Sequence, residues 1–295
     1  MPRFPYETVD VFTDRAFGGN PLAVFTDARG LSDTQMQALA AEMNYSETTF
    51  VLPADDPAND ARVRIFHRTA EMPFAGHPNV GTAYVLASHG RDRDGVLRFE
   101  QKAGLVEVAV ERDPAGAVTG AVIAAPQALS LGMELPIDEI ATCVGLSRDD
   151  IATAAHKPVH ASVGVKFVLT QVRPEALARA APDLAAFRKL VRLRGELAGR
   201  LSLFLYARDG DTIRARMFAP LAGTWEDPAT GSASATLGAL LLSLDGGDKA
   251  AFSITQGVEM GRPSLLKVTS WRTEEGCHSR VGGSCIPMFR GEALL

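Results

Sequence analysis

Cysteine is scarce in this chain. Only Cys143, Cys277 and Cys285 occur among 295 residues, none are spaced as CxxC, and an odd number argues against a disulfide framework. They read as small buried apolar side chains. A basic excess is also missing, since 30 Lys and Arg stand against 35 Asp and Glu, for a net charge of −5. That balance, without a long basic run, excludes a surface built to track nucleic-acid phosphates. No stretch approaches the ~18 uncharged apolar residues of a membrane span. The opening MPRFPYETVDVF holds no continuous apolar segment of a signal peptide. The expectation is a cytoplasmic protein with neither membrane nor nucleic-acid partners.

What is present is globular: 46% hydrophobic residues, in a chain long enough for one large core or two ordinary domains. Alternating apolar residues predict strands over 6–14, 22–25, 46–53, 61–68, 117–127, 162–172, 201–208, 212–220, 256–271 and 280–294, with two more around the Ala103-Gly104 turn. One helix is marked strongly. Ser32 and Gln35 have the spacing of a capping box, and Met36, Leu39, Ala40 and Met43 follow at i, i+3, i+4, i+7 until Asn44. Further helices are expected over 136–146, with Pro136 in the first turn, and over 182–194. Strand-rich order with few helices implies α+β rather than a doubly wound parallel sheet.

One device occurs twice. PFAGHPNVGTAYVLA begins at Pro73 and PATGSASATLGALLL at Pro228, and the pairs Pro73/Pro228, Gly76/Gly231 and His77/Ser232 all lie 155 residues apart. An alternating strand (RVRIF, TIRARMF) and an acidic loop (HRTAEM, APLAGTWED) precede each copy. So long a period is not that of a solenoid. It implies two similar domains, 1–120 and 121–275, with the final strands 276–295 free to return to the first. Each copy runs into an apolar helix, whose first N–H groups lack intrahelical partners and carry partial positive charge. Glycine there admits close approach of a ligand, and a carboxylate or enolate would gain about 0.3–2 kcal/mol at each end. One copy alone would read as an ordinary cap; two in register point to a small anionic substrate.

Three ionisable residues accompany the repeat: His77, Asp227 and Glu47. Glu47 sits among Tyr45, Ser46, Thr48, Thr49 and Phe50, and burial there would raise its pKa toward the range useful for moving protons at neutral pH. Taken alone, a glutamate at a strand edge is more often a surface or paired residue. His67, His89, His156, His160 and His278 belong to no constellation. His77 has no partner at metal-ligand spacing, so no metal site is expected.

The motifs FGGNPLAVF, NYSETTFV, EMPFAGHPNVGTA, EDPATGSA and QGVEMGRPS, in this order and across nearly the whole chain, resemble the PhzF (phenazine biosynthesis) family of isomerases. The resemblance implies the diaminopimelate epimerase-like fold, with two pseudo-symmetric domains, each a β-barrel-like sheet around a central helix, and the active site between them. It implies Glu47 as the acid/base, with His77, Asp227 and Ser232 lining the site and Asn20, Gly76 and Gly231 binding substrate. The family reaction resembles isomerisation of trans-2,3-dihydro-3-hydroxyanthranilate, in which a proton moves between carbons without metal or organic cofactor. A homodimer is the expected assembly. The chain departs from the family pattern at HRT before Ala70 and at Trp225, which bears on substrate more than on chemistry. Two alternatives stay open: an epimerase pairing Glu47 with Asp227 or His77, and a catalytically silent binding protein. A two-thiol epimerase is disfavoured, because the helix starts carry His77 and Ser232 instead of cysteine.

Overall fold

The computed structural model describes residues 1–295, which divide into two compact units: Met1–Ala124 with Gly282–Leu295, and Ala125–Val281. The first contains β1 (Arg3–Val11), β2 (Asn20–Phe25), α1 (Asp33–Met43), β3 (Glu47–Leu52), β4 (Ala61–His67) and β5 (Glu71–Met72). It continues through α2 (Gly76–Ser88), β6 (Val96–Gln101), β7 (Gly104–Arg112) and β8 (Val118–Ala124). The second begins with β9 (Ser130–Glu134), α3 (Ile137–Cys143), β10 (Val159–Ser162), β11 (Lys166–Gln171), α4 (Pro174–Leu177) and α5 (Leu184–Leu193). After these come β12 (Leu203–Asp209), β13 (Thr212–Ala219), β14 (Thr224–Asp227), α6 (Gly231–Asp245), β15 (Lys249–Gln256) and β16 (Ser264–Thr273). The last strand, β17 (Gly276–Leu294), starts in the second unit and ends in the first.

Both units pair their strands in one pattern. In the first, β1–β2 is antiparallel, β2–β3 parallel, β3–β4 antiparallel, β4–β6 parallel and β6–β7 antiparallel. β8 then pairs with β7 and β17, and β17 with β1, closing an eight-stranded barrel. In the second, β10–β11, β11–β12, β12–β13, β13–β15 and β15–β16 repeat the same alternation of antiparallel and parallel neighbours. Each parallel pair requires a crossover. The crossovers that matter are α2, between β4 and β6, and α6, between β13 and β15.

These two helices are the axes of their units. Residues Gly76 to Ala87 of α2 are all buried, which explains a helix apolar around its whole circumference. It packs against β1, β2, β3, β7 and β8, while α6 packs against β10, β11, β15 and β16. Glycine sets the approach. A Cβ on Gly81 would come inside 3.0 Å of Leu22 and Val11, and one on Gly238 would do so against Val268 and Ser270.

The peripheral helix α1 forms as its sequence dictates. The Ser32 side chain accepts from the Gln35 backbone, the Gln35 side chain accepts from the Ser32 backbone, and Asn44 ends the helix at φ +53°. Its Met36, Leu39 and Ala40 cover a cluster that includes Phe25, Phe50 and Phe66. Phe25 stacks on Phe50 at 4.9 Å, and Phe66 meets Phe50 edge-on at 5.4 Å.

Several boundaries differ from the alternation pattern. β1 stops at Val11 because Phe12 adopts φ +67°. The expected strand 162–172 is narrower, β11 over Lys166–Gln171, separated from β10, which ends at Ser162, by a turn where Gly164 takes φ +139°. Within 256–271 the strand starts only at Ser264, and residues 249–256, where no strand was expected, form β15. Pro136 is the N-cap of α3 rather than a residue of its first turn.

Candidate functional site

In the first unit, the parallel β2–β3 register sets Leu22 against Glu47. Asn20 at the head of β2 is buried, and its Oδ1 accepts from Ser46 Oγ at 2.9 Å. The turn before it depends on Gly19, whose φ is +63° and whose Cβ would strike the Val11 carbonyl. Glu47 is the first residue of β3, with 15% of its side chain exposed. His77 is the second residue of α2, and its Nδ1 lies 3.4 Å from Glu47 Oε2.

That contact is not an ion pair at neutral pH. Burial pushes the His77 imidazole down to about 3, outweighing a hydrogen bond to the Pro21 backbone that favours the charged form. Proline has no N–H, so Pro21 accepts through its carbonyl and the imidazole donates. His77 Nε2 is buried without a protein partner, which fits a neutral ring protonated on Nδ1 with its lone pair on Nε2.

The helix start that carries His77 is bare. Ala75, the N-cap of α2, offers no side-chain hydrogen bond, and no acidic residue occupies the first turn. The same holds for α6, whose N-cap is Thr230. By contrast Ser32 caps α1 and Asp183 caps α5. The two central helices thus leave their N-terminal dipole ends uncompensated by a side-chain cap, where an anion is favoured.

In the second unit, Asp227 ends β14 and is buried, and Gly231 and Ser232 open α6. Ser232 is the one partly exposed residue between Gly231 and Leu242. Thr230 Oγ1 donates to Asp227 Oδ2 at 2.5 Å. Gln256, the last residue of β15 and fully buried, donates through Nε2 to the Asp227 carbonyl at 2.7 Å and to Thr230 Oγ1 at 3.0 Å. Its Oε1 accepts from the Thr230 N–H at 3.1 Å.

Equivalent arginine–glutamate pairs join the strands that precede both helices. Arg64 binds Glu71 through two parallel contacts of 2.8 Å, and Arg216 binds Glu226 likewise at 2.8 Å. Each arginine also lies over a phenylalanine two residues on, Phe66 at 5.1 Å and Phe218 at 4.9 Å. The Arg64 hydrogen bonds, with Lys102 assisting, hold the Glu71 carboxyl below its ordinary pKa. In the first unit Gln101 Nε2 donates to Asn79 Oδ1, and Asn79 Nδ2 donates to the Ala75 carbonyl at 2.9 Å.

Sequence reading missed Thr230, Gln256, Asn79 and Gln101 as parts of this apparatus. A signal existed: Gln101 and Gln256 share the 155-residue offset of the repeat, but they lie outside its two motifs. The remaining histidines have structural partners or none. His156 Nε2 meets the Tyr206 hydroxyl at 2.7 Å, and His89 meets Glu7 at 2.6 Å. Trp225 is 56% exposed on β14. No group of three or more His, Cys, Asp or Glu side chains is placed to hold a metal ion, and no helix is long and apolar enough to cross a membrane. All three cysteines are buried, and burial pushes the Cys143 thiol up to about 12 and the Cys285 thiol up as well.

Comparison with known proteins places this arrangement. The family model described as phenazine biosynthesis-like protein (PhzC-PhzF) matches residues 9–291. An uncharacterized isomerase of Mesorhizobium japonicum is 36% identical, covering 98% of each chain. The trans-2,3-dihydro-3-hydroxyanthranilate isomerase of Pseudomonas chlororaphis is 34% identical over 98% of this chain and 99% of the relative. The crystal structure of a PhzF-family phenazine biosynthesis protein from Bacillus anthracis superposes with a TM-score of 0.88 at 25% identity, covering all of both chains. The fold is α+β and diaminopimelate epimerase-like, as the motifs implied. With matching motifs, architecture and relatives, the chain belongs to the PhzF family of isomerases.

Proposed function

We propose that this isomerase moves a proton between two carbons of a small carboxylated substrate, with Glu47 removing and returning it. The observation that carries this reading is the setting of Glu47: a mostly buried carboxylate 3.4 Å from a neutral imidazole that stands at an uncapped helix start. Relatives named trans-2,3-dihydro-3-hydroxyanthranilate isomerase support a substrate of that kind. In the proposed step the Glu47 carboxylate takes a C–H proton, the electron pair shifts across the conjugated substrate, and protonated Glu47 delivers the proton to the second carbon. Electrons and atoms balance without oxidant, reductant or cofactor. His77 is a neutral polar group packed against the Glu47 carboxylate, which it helps to hold in place. Asp227 is a second acidic group of the reaction, and Asn20, Gly76, Gly231 and Ser232 are substrate-binding positions. The N–H groups opening the helices steady developing negative charge.

A positioned acid/base group contributes about 10²–10⁴-fold. Steady-state assay of Glu47→Gln with trans-2,3-dihydro-3-hydroxyanthranilate should therefore show kcat reduced by at least ~10²-fold with the thermal midpoint unchanged. An unchanged kcat contradicts the proposal. In an epimerase reading, Asp227 is the better partner for Glu47, because an imidazole held near 3 is a poor proton carrier at neutral pH. A product with an inverted stereocentre and unmoved double bonds would select that reading. The proposal takes a homodimer as the assembly, checked by light scattering.

A further inference from the structure

Gln256 and Thr230 form a closed ring of hydrogen bonds with Asp227. The Gln256 amide has one orientation available to it. Its Nε2 faces the Asp227 carbonyl and its Oε1 faces the Thr230 N–H, and a flipped amide would oppose carbonyl to carbonyl and N–H to N–H. The second Nε2 hydrogen then goes to Thr230 Oγ1. A hydroxyl that already accepts there keeps its own proton for Asp227 Oδ2, at the 2.5 Å separation typical of a hydroxyl bound to a carboxylate. All three side chains are buried, so water does not compete for these bonds.

We propose that Thr230 and Gln256 are positioning residues, which fix the rotamer of the Asp227 carboxylate and tie it to the first turn of α6. The proposal rests on the reading that Asp227 takes part in the isomerisation. The backbone bonds set Gln256, Gln256 sets the direction of the Thr230 hydroxyl, and the hydroxyl sets Asp227. A glutamine at the matching place also serves the first unit, by different contacts: Gln101 ends the strand after α2 and holds Asn79, which binds the N-cap carbonyl of that helix. Two glutamines 155 residues apart, each ending the strand that follows a central helix and each bracing that helix's start, make the Gln256 ring a built feature of the fold.

The test compares Thr230→Val, which keeps shape and loses the hydroxyl, with Thr230→Ser, which keeps the hydroxyl, and adds Gln256→Leu. With trans-2,3-dihydro-3-hydroxyanthranilate as substrate, Thr230→Val and Gln256→Leu should lower kcat about 10- to 100-fold with KM changed less than about threefold, the size expected of a misplaced reacting group. Thr230→Ser should stay within about threefold of the parent. Equal loss in the Val and Ser variants, or an undiminished kcat in Thr230→Val, overturns the proposal. A crystal structure of each Thr230 variant gives a readout independent of turnover. The Asp227 carboxylate should keep its rotamer in Thr230→Ser and leave it in Thr230→Val; an unmoved carboxylate in Thr230→Val overturns the positioning role even where no substrate is converted. If the parent protein converts no candidate substrate, the functional reading fails and the crystal comparison still decides the positioning role.

Discussion

At the scale of single residues, burial decides more than charge. His77 lies 3.4 Å from a carboxylate, yet desolvation keeps it neutral down to about pH 3. The consequence for stability has a definite sign. An unfolded histidine binds its proton below about 6.5, whereas the folded one does so only near 3. The unfolded chain therefore holds the extra proton between those values, and stability falls as pH drops through that window. Urea unfolding of the parent protein and His77→Asn should show profiles that diverge below pH 6.5, the parent losing up to about 1.4 kcal/mol per pH unit more than the variant. Parallel profiles would contradict the assignment. Sequence alone could pick out His77, because GHP follows the repeated proline, and Glu47, because SETTF carries a family motif. It could not indicate the neutral state of His77, which depends on the β-strands closed around α2. Nor could it show that Gln256, though it shares the repeat's offset with Gln101, bonds to Thr230 26 residues earlier in the chain.

At the scale of elements, local and tertiary causes separate cleanly. α1 was legible to its caps because Ser32, Gln35 and Asn44 encode its ends within one segment. Ser32→Ala should cost about 0.5–2 kcal/mol in global stability with no change in isomerase kcat, read by urea unfolding and assay. For α2 and α6 the sequence signal was the repeated proline and glycine, while their burial on every side follows from the surrounding strands. Gly238→Ala should destabilise by about 1–3 kcal/mol, since the added methyl meets the stiff Val268 side chain rather than open space. A midpoint at or above that of the parent would show that the wall yields. Elements that escaped the alternation pattern were short or atypical. β5 and β14 span two and four residues, too few to display a period, and β15 begins with Lys249, Ala250 and Ala251, residues of low strand preference.

At the scale of the whole molecule, the 155-residue offset proved to be a repeat of topology. Arg64–Glu71 and Arg216–Glu226 are the same clamp on the same pair of strands, although the second loop is three residues longer, which is why the arginines fall out of register in sequence. The first barrel draws its closing strand from the chain's other end, β17 pairing with β1 from Arg3 to Val11. A chain ending at Val281 should lose the cooperative unfolding of the first unit, seen as loss of slow amide exchange in β1 and β8; retained protection there would refute barrel closure by β17. The central claim, that Glu47 carries the proton, is tested most directly by NMR of the isomerised product formed in deuterated water. The account predicts that the parent enzyme delivers the substrate's own protium to the accepting carbon, deuterium entering only as far as protonated Glu47 exchanges with solvent first, and that Glu47→Gln gives no isomerised product. Isomerised product from Glu47→Gln at the parent rate would contradict it.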